Sequence, residues 1–293
     1  MNVRLLYVVA FLAIILSLSS CSRSIGYRFA DTFILWQLDN YVTLEGEQRE
    51  RVKTEIEDLL QWHAESELPK YHHLLVELQT LVENDQLTQQ ELQQIALQVE
   101  TFWLNLRKQV FPILVAELAA MSTAQRNELI AALAENVAER KRVLAERSSE
   151  ERLAERIERF EDVVLRFVGR ASPLQRTWIE RLAQSTPDMS EQWLAYRTRW
   201  NLEFSAALEQ APALSEEEFS ALLVPLILTP DIYRSETLQA QAELNQTRTL
   251  EVLPILATSL TEQQKRRSVR RLESLQGDLR AMMRQRGVEL TPP

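Results

Sequence analysis

Leu260-Thr261-Glu262-Gln263-Gln264 reads as the start of an α-helix. A threonine hydroxyl in this place accepts from the amide three residues on, the glutamine side chain reaches back to the threonine amide, and the leucine packs on the first turn. The same phrase, an apolar residue, Ser or Thr, two free positions and Gln or Glu, occurs six times. The other copies are Leu44 to Gln48 with Glu45 in the hydroxyl place, Leu87-Thr88 to Glu91, Met121-Ser122 to Gln125, Ala171-Ser172 to Gln175, and Leu214-Ser215 to Glu218. Each predicts a helix start. Between them the chain is rich in Leu, Ala, Glu, Gln and Arg and holds only 5 glycines in 293 residues, a composition that favours helix over strand. The expected fold is all-α, an elongated multi-helix bundle.

The spacing of the phrases adds organisation. Leu44 and Ala171 are 127 residues apart, as are Leu87 and Leu214, while Met121 and Leu260 are 139 apart. The third pair brings a second likeness, Val110-Phe111-Pro112-Ile113-Leu114 before one and Val252-Leu253-Pro254-Ile255-Leu256 before the other. This predicts an internal duplication of a three-start helical unit, the second copy carrying about 12 more residues around Thr229-Pro230-Asp231. Six ordinary caps in an unrelated order are the alternative. The divisions are 1–20 as a leader, 21–43 as an anchored start with a first helix, 44–170 as one half and 171–293 as the other.

Two stretches leave local structure open. From Ser122 to Gly169 no helix breaker occurs, so one helix of about 45 residues fits, on the order of 65 Å long. Ser148-Ser149-Glu150-Glu151 can instead restart a helix, which makes two hinged near Ser148. Leu153, Ile157, Phe160, Val164 and Phe167 form a packing seam, whereas Glu139 to Arg152 is nearly all charged and reads as a solvated stretch laced with ion pairs. Near the start, Phe29, Phe33 and Trp36 share one helical stripe with Ile34, Leu38 and Tyr41 beside it, predicting a first amphipathic helix.

Ahead of that helix, Arg4 precedes an unbroken apolar run from Leu5 to Leu16 and a patch of small residues, the layout of a secretory signal. The run is short of the ~20 residues of a membrane-spanning helix. Leu18-Ser19-Ser20-Cys21 resembles the lipobox of bacterial lipoproteins, in which the cysteine becomes the acylated first residue of the mature protein. That resemblance implies a membrane anchor at Cys21. Ser22 follows where lipoproteins kept in the inner membrane carry aspartate, so the implied destination is the periplasmic face of the outer membrane. A plain signal with a chance cysteine is the alternative. Cys21 is the only cysteine, so disulfides are excluded and stability rests on packing. The net charge of -9 argues against nucleic acid and against general attraction to anionic membranes. Acyl chains, at about 0.8 kcal/mol per buried methylene, would hold the protein to the bilayer instead.

No catalytic set is legible. His63, His72 and His73 lie in one segment with Glu67 and Glu77 each four residues beyond a histidine, on one helix face. Zinc needs three or four converging ligands, and no H-E-x-x-H or paired-cysteine spacing is present, so no metal or other cofactor is expected. The absence of a glycine-rich phosphate loop and of G-x-S-x-G argues against those nucleotide and hydrolase chemistries.

Two features are candidates for a binding surface. Trp193, Tyr196 and Trp200, spaced i, i+3 and i+7, form an aromatic ridge that either packs in the core, as expected for most of the six tryptophans, or receives an apolar partner. Lys265, Arg266, Arg270 and Arg271 begin a basic strip on the last helix, which either pairs with acidic faces of the fold or meets lipid headgroups or an acidic client.

Trp36-Gln37-Leu38-Asp39-Asn40-Tyr41-Val42, Gln48-Arg49-Glu50-Arg51-Val52, and Trp62-His63 followed by Glu67-Leu68-Pro69-Lys70-Tyr71, together with the lipobox, resemble a Gram-negative lipoprotein family, domain of unknown function 6279. The likeness is expected to cover nearly the whole mature chain, and it implies no activity. Separately, the L-[ST]-x-x-Q phrases resemble periplasmic stress chaperones of the Spy and CpxP kind, which hold unfolding envelope proteins without ATP. The expected function is a non-enzymatic, outer-membrane-anchored binding or chaperone-like protein whose clients are unfolded or assembling envelope proteins. A dedicated scaffold subunit of one envelope assembly is the alternative.

Overall fold

The computed structural model describes residues 27–290; the leader and the Leu18 to Cys21 stretch lie outside the described residues. In chain order the helices are α1 (Ala30–Leu38), α2 (Gly46–Trp62), α3 (Leu68–Glu83), α4 (Gln89–Ala119), α5 (Thr123–Ala145), α6 (Ser149–Val168), α7 (Pro173–Ser185), α8 (Ser190–Gln210), α9 (Glu216–Ile227), α10 (Glu236–Thr258) and α11 (Glu262–Gln285). Among the described residues there is no strand, and the fold is an all-α multi-helix bundle.

All six phrases begin a helix. At Ser122, Ser172, Ser215 and Thr261 both halves of the capping box form, the hydroxyl accepting from the third amide and the third side chain accepting from the cap amide. Thr88 makes only the hydroxyl half, and Glu45 makes no side-chain cap, in keeping with its place as the one copy without a hydroxyl. A further full box forms at Ser148, so the run after Ser122 is two helices rather than one. At the break the Glu146 amide donates to the carbonyls of Arg142 and Leu144, and the Ser148 hydroxyl accepts from the Glu151 amide, so both helix ends are satisfied locally.

One break was not written in the phrases. α2 joins α3 through a π turn at His63–Glu67, in which the Leu68 amide donates to the carbonyl of His63 five residues back. Pro69 supplies the reason, since it has no N–H to continue an i→i−4 ladder. Pro112 and Pro254, by contrast, sit inside α4 and α10.

Two large cores hold the bundle. The first gathers Leu68, Tyr71 and Leu75 of α3, Ile95 and Val99 of α4, Leu250 of α10, and Leu272, Leu275 and Met283 of α11. The second gathers Leu35 of α1, Val52 and Ile56 of α2, Val115 and Leu118 of α4, Leu129 of α5, Phe204 and Leu208 of α8, and Phe219 and Leu223 of α9. A smaller cluster of Ile179, Leu182, Val252 and Leu256 joins α7 to α10, with Phe160 and Val164 of the α6 seam against it. Both large cores draw on residues before and after 170. The two halves therefore interleave: α11 packs on α3, and α5 packs on α8.

The box glutamines repeat this relation at closer range. Gln125 Nε2 donates to the Thr43 carbonyl at 2.9 Å and to Gln48 Oε1 at 2.6 Å. Gln264 Nε2 donates to the Arg170 carbonyl at 2.8 Å and to Gln175 Oε1 at 2.9 Å. Thr43 and Arg170, like Gln48 and Gln175, are 127 residues apart, and Gln125 and Gln264 are 139 apart, the spacings of the phrases themselves. Just before Arg170, α6 ends at Gly169, whose φ of +81° suits glycine and whose Cα face is covered by the Arg267 guanidinium.

Candidate functional site

The histidine segment is tied into the fold by ring contacts and hydrogen bonds at His63 and His72. The π turn shifts Glu67 off the face it would share with His63 in an α-helix, so the i, i+4 pairing expected from spacing is altered. His63 packs against Tyr27 and edge-on against Tyr71, with ring centroids 6.2 and 5.5 Å away. The Tyr27 hydroxyl donates to the Leu60 carbonyl at 2.9 Å, which uses its one proton, so at the 3.3 Å contact His63 Nδ1–H is the donor. Burial pushes the His63 pKa down to about 4 and that of Tyr27 up to about 12. Glu67 is fully buried, bound by Lys70 at 2.5 Å and by Asn105 at 3.4 Å. His72 Nε2 meets Arg280 at 2.9 Å, and burial, then the Arg280 charge, holds its pKa below the usual value. His73 is exposed. Among the described residues no three His, Cys, Asp or Glu side chains converge as metal ligands.

The basic strip is divided between inner and outer work. Lys265 reaches Asp85, in the turn between α3 and α4, at 2.7 Å, and Arg266 lies 3.9 Å from Glu262 on its own helix. Arg271 is half-buried, and Arg270 points to solvent. The expected pairing with acidic groups of the fold thus holds for Lys265 and not for Arg270, for which no ion pair forms among the described residues.

The aromatic ridge is half-buried, with parts of it covered by the chain itself. Trp193 and Tyr196 meet edge to face at 5.4 Å, and the Arg234 guanidinium lies over both rings, 5.4 and 5.9 Å from their centroids. Arg234 follows a short 3-10 turn, Pro230–Tyr233, and is fixed by Asp231 at 2.6 Å. Trp200 stacks on Phe204 at 4.9 Å and its indole N–H donates to the Leu226 carbonyl at 2.8 Å. The chain itself thus covers part of the ridge, while Trp193 lines one cavity and Tyr196 and Trp200 another.

The first helix presents the opposite case. Leu35 is buried and Ile34 and Leu38 pack on the second core, yet Phe29, Phe33 and Trp36 are 54%, 56% and 58% exposed. At about 100° per residue these three fall within a ~60° arc, and Phe33 and Trp36 touch with centroids 5.8 Å apart. The stripe that reads as a packing face points outward. Among the described residues no helix is long and apolar enough to cross a membrane.

A family model described as "Family of unknown function (DUF6279)" matches residues 40–234, more than half of the chain. The chain belongs to the DUF6279 family. No curated protein and no solved structure matches it. The DUF6279 match is shorter than the near-complete coverage expected from the sequence, since it stops before α10 and α11 and so excludes the basic strip.

Within the DUF6279 match lies a cleft that sequence reasoning passed over. A cavity of about 610 Å³ opens between α5, α6 and the start of α8, lined by arginines of the run Glu139 to Arg152, by others of α6, and by Arg197 and Trp193 of α8. By composition alone the charged run suits a solvated face laced with ion pairs. The turn at Ser148 folds it back so that α6 and α8 bring further arginines beside it, a juxtaposition that no spacing along one helix could signal.

Proposed function

We propose that this DUF6279 protein is a lipid-anchored envelope protein, tethered through Cys21 on the periplasmic side of the outer membrane, whose helical body binds a partner without catalysing a reaction. The observation that carries the reading is the exposed stripe of Phe29, Phe33 and Trp36. It begins eight residues after Cys21, where an acylated cysteine would hold it against the bilayer. A helix apolar on both its inner and outer faces needs a second apolar surface. Aromatic rings, and tryptophan above all, suit the membrane–water interface. Because the anchor already confines the helix to the surface, a contribution of about 1 kcal/mol per ring is enough to orient the body.

The test is quenching of tryptophan emission by doxyl-labelled lipids in vesicles bearing the lipidated protein. A quenchable component present in the wild type and missing in Trp36→Phe is the expected result; equal quenching in both would remove the interfacial role.

The partner class we favour is partly folded or assembling envelope protein, which a body held near the membrane would meet. A dedicated scaffold of one assembly is the second reading, supported by the interleaved cores, which make the body one stiff unit. In-cell crosslinking separates them: a spread of unrelated envelope proteins fits the first, one dominant partner lost in Cys21→Ser fits the second.

We also propose that the body arose by duplication of a helical unit. The support is the recurrence of the Gln125 contacts to Thr43 and Gln48 in the Gln264 contacts to Arg170 and Gln175. A second half expressed alone should then pair with itself; a folded monomer would count against the proposal.

A further inference from the structure

The arginine cleft has an electrostatic balance unlike the rest of the protein. Acidic residues outnumber basic ones by 42 to 33 over the chain, so carboxylate partners are in excess. Some arginines elsewhere find them, as Arg49 does with Asp39 at 2.7 Å and Arg176 with Glu161 at 3.1 Å, while exposed ones such as Arg270 stand singly in solvent. In the cleft the three lining carboxylates are already committed: Glu139 to Arg142 at 2.6 Å, Glu155 to Arg147 at 2.7 Å, and Asp188 to Arg152 at 2.5 Å. Four more guanidinium groups, Arg140, Arg156, Arg159 and Arg197, line the same space, and none of them has an ion pair among the described residues.

Two of these four are fixed by neutral groups through one nitrogen only. Arg156 Nε donates to the Ala183 carbonyl at 3.0 Å and Arg140 Nε to Asn136 Oδ1 at 2.8 Å, leaving the terminal nitrogens to the cleft. Burial, and then the Arg140 charge, holds Arg197 below the usual guanidinium range. Arg156 is pushed the same way, first by burial; Asp188 opposes this, and Arg159 and Arg152 add to it. Like charges are thus gathered at a cost that an anion would relieve. Val143, Leu144, Leu194 and Trp193 provide apolar wall beside them.

We propose that this cleft binds a phosphate-bearing anion, the guanidinium forks of Arg140, Arg156, Arg159 and Arg197 taking the phosphate oxygens and the wall around Trp193 taking the apolar or sugar portion. Planar forks match phosphate geometry bidentately, which a diffuse patch of lysines would not do. The chemistry is shared by a soluble phosphorylated compound and a phospholipid headgroup. The proposal does not depend on the aromatic stripe of α1, which lies on another helix.

The test uses the full mature chain carrying Cys21→Ser, so that no acyl chain holds it to lipid. Calorimetric titration with inorganic pyrophosphate probes the soluble source. Flotation with phosphatidylcholine vesicles, with and without phosphatidic acid, probes the headgroup, and the stripe contributes equally to both vesicle types. Binding in either arm is expected, weakened about tenfold or more in Arg156→Gln/Arg197→Gln, the scale expected for losing charge-assisted hydrogen bonds. Arg270→Gln, on the exposed basic strip, should leave it within about twofold. Pyrophosphate binding alone assigns a soluble ligand, and a gain with phosphatidic acid alone assigns a headgroup. Binding in neither arm, or an equal loss in Arg270→Gln, overturns the proposal. Helical circular dichroism and an unchanged melting temperature establish that the double variant is folded; if it is not, the single Arg159→Gln, at an exposed position, carries the same comparison.

Discussion

The side-chain amides of Gln175 and Gln264 hold each other, Gln175 Nε2 donating to Gln264 Oε1 at 3.2 Å and Gln264 Nε2 to Gln175 Oε1 at 2.9 Å. Each oxygen also accepts from its own helix-cap amide, Ser172 N and Thr261 N, both at 2.9 Å. Two helix starts are thus locked to one another through residues that also cap them. Gln175 is 1% exposed and Gln264 9%, so an amide left alone here has no water to turn to.

Replacing either glutamine by leucine should lower the unfolding free energy by about 1–3 kcal/mol, the penalty for a buried polar group without its partner. The double variant should lose less than the sum, because the bonds between the two amides are then lost only once. Urea unfolding of the four proteins measures the coupling; strictly additive losses would mean that the amides act separately. Gln125→Leu, at a half-buried counterpart, should be milder than Gln264→Leu.

Ser148→Ala removes the hydroxyl that caps α6 and should cost about 1 kcal/mol. Its effect should concentrate at the turn. Hydrogen exchange is expected to speed up over the first turn of α6 while α11 keeps its protection. Uniform loss across the protein would show that the turn unfolds only with the whole.

Gly169→Ala meets two obstacles. The backbone there has a φ of +81°, and an added Cβ would lie 2.6 Å from Arg267 Nε. The conformational part costs about 1 kcal/mol, and the arginine must also move. A fall of roughly 2–4 °C in melting temperature per kcal/mol is expected for a chain of this size. Adding Arg267→Ala should recover the steric part and leave the conformational one.

His63 should make the protein acid-sensitive. Its folded pKa of about 4 is below the unfolded value, so between those two values the unfolded chain binds more protons. Stability should therefore fall as pH drops through about 6.5 and level off below about 4, by something on the order of 3 kcal/mol for this group. His63→Gln should flatten that part of the profile. The comparison is the difference between the two proteins' unfolding free energies at pH 7 and pH 4.5; an unchanged difference would mean His63 is protonated without strain.

Helix starts were legible in the sequence because a capping box is closed by residues three apart. Ser122, Ser172, Ser215 and Thr261 needed no knowledge of the rest of the chain, and with scarce glycine they determined an all-α fold. Ser148 was legible as an alternative, and the charge content alone could not choose between one helix and two. The π turn at His63–Glu67 was not legible, since Pro69 permits several ways of satisfying the preceding turn.

Tertiary structure alone decided which faces are covered. Phe29, Phe33 and Trp36 have the spacing of a packing stripe, yet Leu35 on the other side of α1 enters the core and they face out. Trp193 and Tyr196 have the spacing of an open ridge, yet Arg234, about 40 residues later, lies over them. Arg140, Arg156 and Arg197 belong to three helices, and nothing along any one of them announces the cleft. Periodicity fixes which residues share a helix face, whereas the partner of that face is set by contacts between residues far apart in the chain, and those have no local signature.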